Sequence, residues 1–160
     1  MTDQLKRMPP VQIEGPAAKI GPAVEMVRRF AVAEGLPSAA ADALSVALDE
    51  AISNVVRYAY DAREPVLTIE ATADPDGVEV VLSDGGRPFN PLDWPAPSLD
   101  GDAADRPVGG LGIHLMRSLV DRLDYRREGN CNRLMLRKQR AVALARDDAG
   151  GKDGADSAGA

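Results

Sequence analysis

Val46-Ala47-Leu48-Asp49-Glu50-Ala51-Ile52-Ser53-Asn54 is the stretch on which the reading of the fold turns. Apolar residues recur at Leu44, Ala47, Leu48, Ala51, Ile52, Val55 and Val56, three and four positions apart. That period predicts a helix with a broad buried stripe, the central helix of the chain. Ser38 is expected to cap its N-terminus. Glu50 and Asn54 lie four residues apart and therefore share a face, with Asp49 and Ser53 beside them. A polar pair set into so apolar a helix needs either solvent or a specific ligand, because a buried unpaired carboxylate is expensive. One reading is a solvated helix edge. The other is a carboxylate that can act as general base beside an amide oxygen that can ligate Mg2+, an ion that takes oxygen ligands.

Upstream, Ile20, Val24, Val27, Phe30 and Ala31 follow helical spacing, and Gly35 and Pro37 are stop signals. Val11-Gln12-Ile13 alternates as a short edge strand would, while the polar residues 1–10, ending in Pro9-Pro10, are expected to be flexible. Downstream, Val66 to Glu70 and Val78 to Leu82 read as strands joined by the turn formers Asp74-Pro75-Asp76-Gly77. From Asp84 to Val108 the chain carries Pro88, Pro91, Pro95, Pro97 and Pro107, too many for a helix interior or a central strand. A loop of this length is usually functional or disordered. Ile113 to Leu123 then predicts a third helix, and Tyr125 to Arg127 with Arg133 to Arg137 a last strand pair around Gly129-Asn130. Residues 141–160 are mostly Ala, Gly and Asp and cannot offset the entropy of ordering, so a disordered tail is expected. The order predicts an α+β domain over residues 11–140, one sheet with helices on one face.

Composition narrows the partners. A chain of 160 residues with 44% hydrophobic content can build one real core. A net charge of −6 argues against a primary role on nucleic acid, which calls for a Lys/Arg stripe that is missing here. Cys131 is the single cysteine, which rules out an intrachain disulfide and fits a reducing compartment, so a cytoplasmic protein is expected. No stretch approaches the roughly 18 apolar residues of a membrane span.

Two further constellations could carry chemistry. Asp84-Gly85-Gly86 ends a strand, where glycine permits close backbone approach and a carboxylate can accept from a ligand amine; by itself it is also a plain turn. Gly109-Gly110-Leu111-Gly112 comes immediately before the third helix, where backbone N–H groups favour a phosphate. It lacks the G-K-[ST] ending of a Walker A loop, and a flexible hinge reads as well. Arg87 and Arg106 could reach phosphates or be solvated loop charges, and Trp94 could cover a ligand or pack the loop. His114 and Cys131 read as bystanders, since neither has a partner in the pattern around it.

In order, Glu50 and Asn54, then Asp84-x-Gly86, then Gly109-Gly110-x-Gly112 resemble the N, G1 and G2 boxes of the Bergerat-type ATP-binding fold of gyrase and histidine kinases. The closer resemblance is to the RsbW-like anti-sigma factor serine kinases, carried by Val46 to Asn54 with Tyr58-Ala59-Tyr60, Asp84 to Pro91, Gly109 to Met116, and Asn132-Arg133-Leu134. It implies a two-layer α/β sandwich with a mixed, mainly antiparallel sheet. It implies Glu50 as the base that activates a substrate serine and Asn54 as the Mg2+ ligand. Asp84 would receive the adenine amine and Gly86 would leave room for the base. Gly109, Gly110, Leu111, Gly112 and Ile113 would bind the nucleotide phosphates, the glycines hinging a lid from Phe89 to Val108. The implied function is an ATP-dependent serine kinase that phosphorylates a STAS-type anti-sigma antagonist and otherwise sequesters a sigma factor or another regulatory target. A nucleotide-gated binding module without turnover is the alternative, and a detached histidine-kinase domain acting in trans a third. Helix one and the edge strand could form a homodimer interface or be filled by the domain's own core. Departures from the pattern are Pro88 for the second G1 glycine, Asn90 for Asp, Tyr58 for His, and Met135 at a last-strand position that often holds a threonine supporting the adenine. At that last position they imply weaker or differently organised adenine hydrogen bonding.

Overall fold

The computed structural model describes residues 5–15, 19–61, 63–95 and 110–140. The chain runs β1 (Lys6–Arg7), β2 (Val11–Glu14), α1 (Ile20–Ala33), α2 (Ser38–Tyr58), β3 (Val66–Asp74), β4 (Gly77–Asp84), a short 3₁₀ helix (Pro91–Asp93), α3 (Gly110–Leu119), β5 (Arg122–Glu128) and β6 (Cys131–Gln139). The sheet order is β5-β6-β4-β3, with β1 and β2 following one another along the free edge of β3. All pairings among the described residues are antiparallel.

Strand alternation divides the sheet into two unlike faces. Leu67, Ile69, Ala71 and Ala73 of β3, Val78, Val80 and Leu82 of β4, and Leu134 and Leu136 of β6 are buried. They meet Ala23, Val27 and Ala31 of α1, Leu44, Leu48, Ile52 and Val55 of α2, and Ile113 and Met116 of α3 in one core. The opposite face carries Glu70, Glu79, Arg133 and Arg137, linked by ion pairs such as Arg137 to Asp74 at 2.8 Å. A two-layer α+β domain with its helices on one face follows from this division.

Glycine matters most at two backbone positions. Gly35, at φ +90°, closes α1: its N–H donates to the Val32 carbonyl at 3.0 Å while that of Leu36 reaches Ala31 at 2.9 Å, the pairing that satisfies the last carbonyls of a helix. Gly77 starts β4 where a Cβ would run into the Lys138 carbonyl, so the β3–β4 turn can lie flat on β6 only without a side chain.

Three expectations shift. The sheet begins in the stretch expected to be flexible: Lys6–Arg7 pairs with Ala73 and Thr72, and the Met8 N–H donates to Ala71. Pro9 and Pro10, which have no N–H, then break the ladder before β2. Ser38 is the first helical residue and not the cap, because the Pro37 carbonyl already accepts from the Ala41 N–H. The third helix is Gly110–Leu119 and not Ile113 to Leu123: the Asp121 N–H donates to the Arg137 carbonyl, which draws the chain into β5 four residues earlier. The tail 141–160 and most of the predicted lid lie outside the described residues.

Candidate functional site

The α2 stripe places Asn54 among buried neighbours, with only 4% of its surface exposed. Its Nδ2 makes no hydrogen bond among the described residues. An orphan buried donor costs about 1–3 kcal/mol, a cost that a ligand at this position would relieve. One turn earlier, Glu50 is half-buried and faces α3. A Cβ at Gly112 would stand 2.5 Å from Glu50 Oε2, so the carboxylate lies over the first turn of α3 in space that glycine leaves open.

β4 delivers Asp84 to the same place from the sheet side. It too is 4% exposed, and its Oδ1 accepts from the Gly86 N–H at 2.8 Å and from Asn132 Nδ2 at 3.0 Å. Burial pushes its carboxyl above the usual range, against the pull of those two donors and of Arg127. Gly86 is required sterically: a Cβ there would meet the Ala59 carbonyl at 2.5 Å. The next residue, Arg87, donates its N–H to that carbonyl at 2.8 Å and ties the loop to the end of α2. Its guanidinium pairs with Asp61 at 3.1 Å and reaches the Tyr58 carbonyl.

Asn54 and Asp84 line one cleft between helices and sheet, together with Ala51, Val55, Met116, Tyr125, Asn132 and Leu134. Phe89 and Pro91, from the segment that follows β4, complete its lining. As packed, the cleft has about 10 Å³ of free volume, room for roughly one water. That segment is well held. Asn90 Oδ1 accepts from the Leu92 N–H, and Arg117 Nη2 donates to the Pro91 and Leu92 carbonyls at 3.0 and 2.6 Å. Phe89 stacks on Tyr58 and Trp94 packs against it at a tilt of 41°, each with centroids 5.1 Å apart. Trp94 therefore packs the loop, and its indole nitrogen also lies beside Gly110.

The glycine motif differs from its expected form. Gly110, Leu111 and Gly112 are inside the first turn of α3 and not ahead of it. Leu111 is 69% exposed and Ile113 is in the core, so neither side chain faces the cleft; contacts from this turn would come through backbone N–H groups. Gly109 and Arg106 lie outside the described residues.

Met135 does not occupy the position assigned to it. It pairs with Val81 and Asp124 and faces the uncovered side of the sheet, since strand alternation turns Leu134 and Asn132 toward the cleft instead. Asn132 is the residue that sequence reasoning missed. The signal that marks it is a polar asparagine at an inward position of an otherwise apolar strand face. His114 is exposed on α3, and Cys131 opens β6.

No group of three or more His, Cys, Asp or Glu that could hold a metal is present among the described residues. A single amide oxygen at Asn54 fits an ion that keeps several waters and phosphate oxygens rather than an all-protein cage. A purine could occupy the cleft only if Phe89 and Pro91 moved aside.

The fold is thus a two-layer α+β domain with a cleft between its helical layer and the end of its antiparallel sheet. Residues 14–138 match the model of the histidine kinase-like ATPase domain, and the chain belongs to that family. It is similar to the serine/threonine-protein kinase BtrW of Bordetella bronchiseptica, 31% identical over 96 residues that cover 58% of this chain and 66% of that protein. It is also similar to the serine-protein kinase RsbW of Listeria monocytogenes, 32% identical over 97 residues that cover 54% of this chain and 59% of that protein. The chain thus spans less than two thirds of the length of either relative. In fold it is similar to the crystal structure of the RsbU and RsbW domains of Rv1364c from Mycobacterium tuberculosis, with TM-score 0.54 and 16% identity over 82% of this chain and 32% of that one. The histidine kinase domain of the blue-light activated kinase of Erythrobacter litoralis EL346 gives TM-score 0.50 and 18% identity, over 77% of this chain and 60% of that one. No helix among the described residues is long and apolar enough to cross a membrane.

Proposed function

We propose that this chain is an ATP-dependent protein serine kinase of a partner-switching pathway, which phosphorylates a STAS-type antagonist and holds a sigma factor or another regulatory target when that antagonist is unavailable. The observation that carries the nucleotide part is the shared cleft of Asn54 and Asp84, one with a buried amide nitrogen that has no partner among the described residues and the other a buried carboxylate. Family membership and the two similar kinases support the catalytic part. The partner part rests on the resemblance of the N, G1 and G2 stretches alone.

Each residue then has a task. Asp84 accepts a hydrogen bond from the amino group of the adenine, and Gly86 keeps the space beside it clear. Asn54 Oδ1 would hold Mg2+, which when bound would neutralise phosphate charge. The first-turn N–H groups of α3 face the phosphate chain. Glu50, lying over Gly112, takes the proton of the substrate serine hydroxyl as its oxygen attacks the terminal phosphorus and ADP leaves. Transfer of this kind asks mainly for position, which the two carboxylates and the amide supply, and for charge neutralisation, which the helix end supplies in part and a bound metal would complete.

A second reading is a nucleotide-gated module that does not transfer phosphate; the segment from Phe89 to Trp94 packed over the cleft favours gating. Incubation with labelled ATP and a candidate antagonist separates them. Phosphoserine lost in Glu50→Ala supports the kinase, and tight ATP binding without transfer supports the module. Calorimetry of Mg-ATP with Asn54→Ala and Asp84→Ala tests the site itself, and unchanged affinity in both would overturn it.

A further inference from the structure

Asp84 is held by a second layer of residues. Asn132 Nδ2 donates to Asp84 Oδ1 at 3.0 Å and to the Arg87 carbonyl at 2.8 Å, while its Oδ1 accepts from the Tyr125 hydroxyl at 2.7 Å and from Arg127 Nη1 at 2.8 Å. A carboxamide has nearly the same shape either way round, but its two ends have opposite chemistry. The Tyr125 hydroxyl could meet either end, since it both donates and accepts. Arg127 can only donate, so it fixes the oxygen end on its own side and the amine end toward Asp84. The same Nη1 donates to the Gly86 carbonyl at 2.9 Å, and Gly86 supplies the other donor to Asp84 Oδ1. Arg127 thus holds both groups that occupy Oδ1, which leaves Oδ2 for a donor on a ligand. Arg127 and Asn132 are cross-strand partners of the β5–β6 hairpin.

We infer that Arg127 is a positioning residue for base selection: by fixing the Asn132 amide and the Gly86 loop, it makes Asp84 present one carboxylate oxygen to a purine bearing a 6-amino group and reject one bearing a 6-oxo group. This rests on the nucleotide-binding reading above. A site built around a hydrogen bond discriminates strongly only when its polar groups are held in place, so loosening Arg127 should erode the choice of base more than the grip on the phosphates.

The test is calorimetric affinity of the full chain for Mg-ATP and Mg-inosine triphosphate. Wild type should prefer ATP. Arg127→Met should weaken ATP about tenfold, leave inosine triphosphate within about twofold, and so lower the preference about tenfold. In an Asn132→Ala background the same substitution should lower the preference by a smaller factor than it does in wild type, because its route through Asn132 is gone and only that through the Gly86 carbonyl remains; an equal factor in both backgrounds would overturn the route through Asn132. An unchanged preference, or an equal loss for both nucleotides, would show an ordinary structural role and overturn the inference while leaving nucleotide binding standing. Wild type that binds neither nucleotide would overturn the underlying reading and this one with it. Melting temperature controls for folding; should Arg127→Met melt well below wild type, Arg127→Gln carries the same comparison.

Discussion

At Asp84 the demands of folding and of the site oppose one another. Burial raises its folded carboxyl above the unfolded value, so the folded state holds its proton to higher pH. Stability from this group is therefore lost as pH rises through that window, and at neutral pH the ionised side chain weakens the fold. Asp84→Asn keeps an acceptor for the Gly86 N–H and removes the buried charge. It should raise the melting temperature at pH 7 by ~2–6 °C in thermal unfolding, with the gain shrinking in acid, while lowering ATP affinity by more than tenfold. Gly112 shows the same opposition with the signs arranged differently. Alanine there gains about 1 kcal/mol of helix propensity in α3, but its Cβ would meet Glu50 Oε2 at 2.5 Å and push the carboxylate away. Gly112→Ala should be at least as stable as wild type by thermal melt and at least tenfold slower in phosphoryl transfer at unchanged ATP affinity.

Among the elements, the β3–β4 hairpin depends most on one ion pair. Arg137 reaches both oxygens of Asp74 at 2.8 and 2.9 Å, and the Asp76 and Gly77 N–H groups add to it. Arg137, foremost, holds the Asp74 carboxyl below its usual range. A depressed folded value means stability that is present above the unfolded value near 3.8 and lost as pH falls through the folded one. Asp74→Asn should lower the unfolding free energy measured in urea at pH 7 by about 1–2 kcal/mol, and wild type and variant should converge on acidification. The hairpin itself was legible in sequence because turn formers and alternating residues are local signals. The bounds of α3 were not. Its apolar period continues to Leu123, and only the pairing of Arg122 with Arg137 in β6 ends the helix early.

In the whole molecule, the helical layer, the sheet end and the segment from Phe89 to Trp94 meet at a cleft with about 10 Å³ free. A nucleotide far exceeds that, so its entry must separate Phe89 and Pro91 from Asn54 and Asp84. Trp94 is the single tryptophan of the chain, packed at a tilt against Tyr58 and next to Gly110. Mg-ATP should therefore change its emission saturably, at the same midpoint as calorimetric binding, and Asn54→Ala should shift both midpoints upward together. A flat emission signal through a calorimetric transition would mean that this segment stays in place.

Local order was written in the sequence. The helical period around Glu50 and Asn54, the stop at Gly35, the hairpin at Asp74 to Gly77 and the three ordered motifs needed only spacing and residue chemistry, which act over a few neighbours. Tertiary structure alone decided which side chains share the cleft. Asn132 and not Met135 faces Asp84 because strand register sets a side chain's direction, and one residue of slip would reverse it. Arg127 reaches Gly86 across 41 residues of chain, a contact between segments that approach only once β5, β6 and β4 have paired.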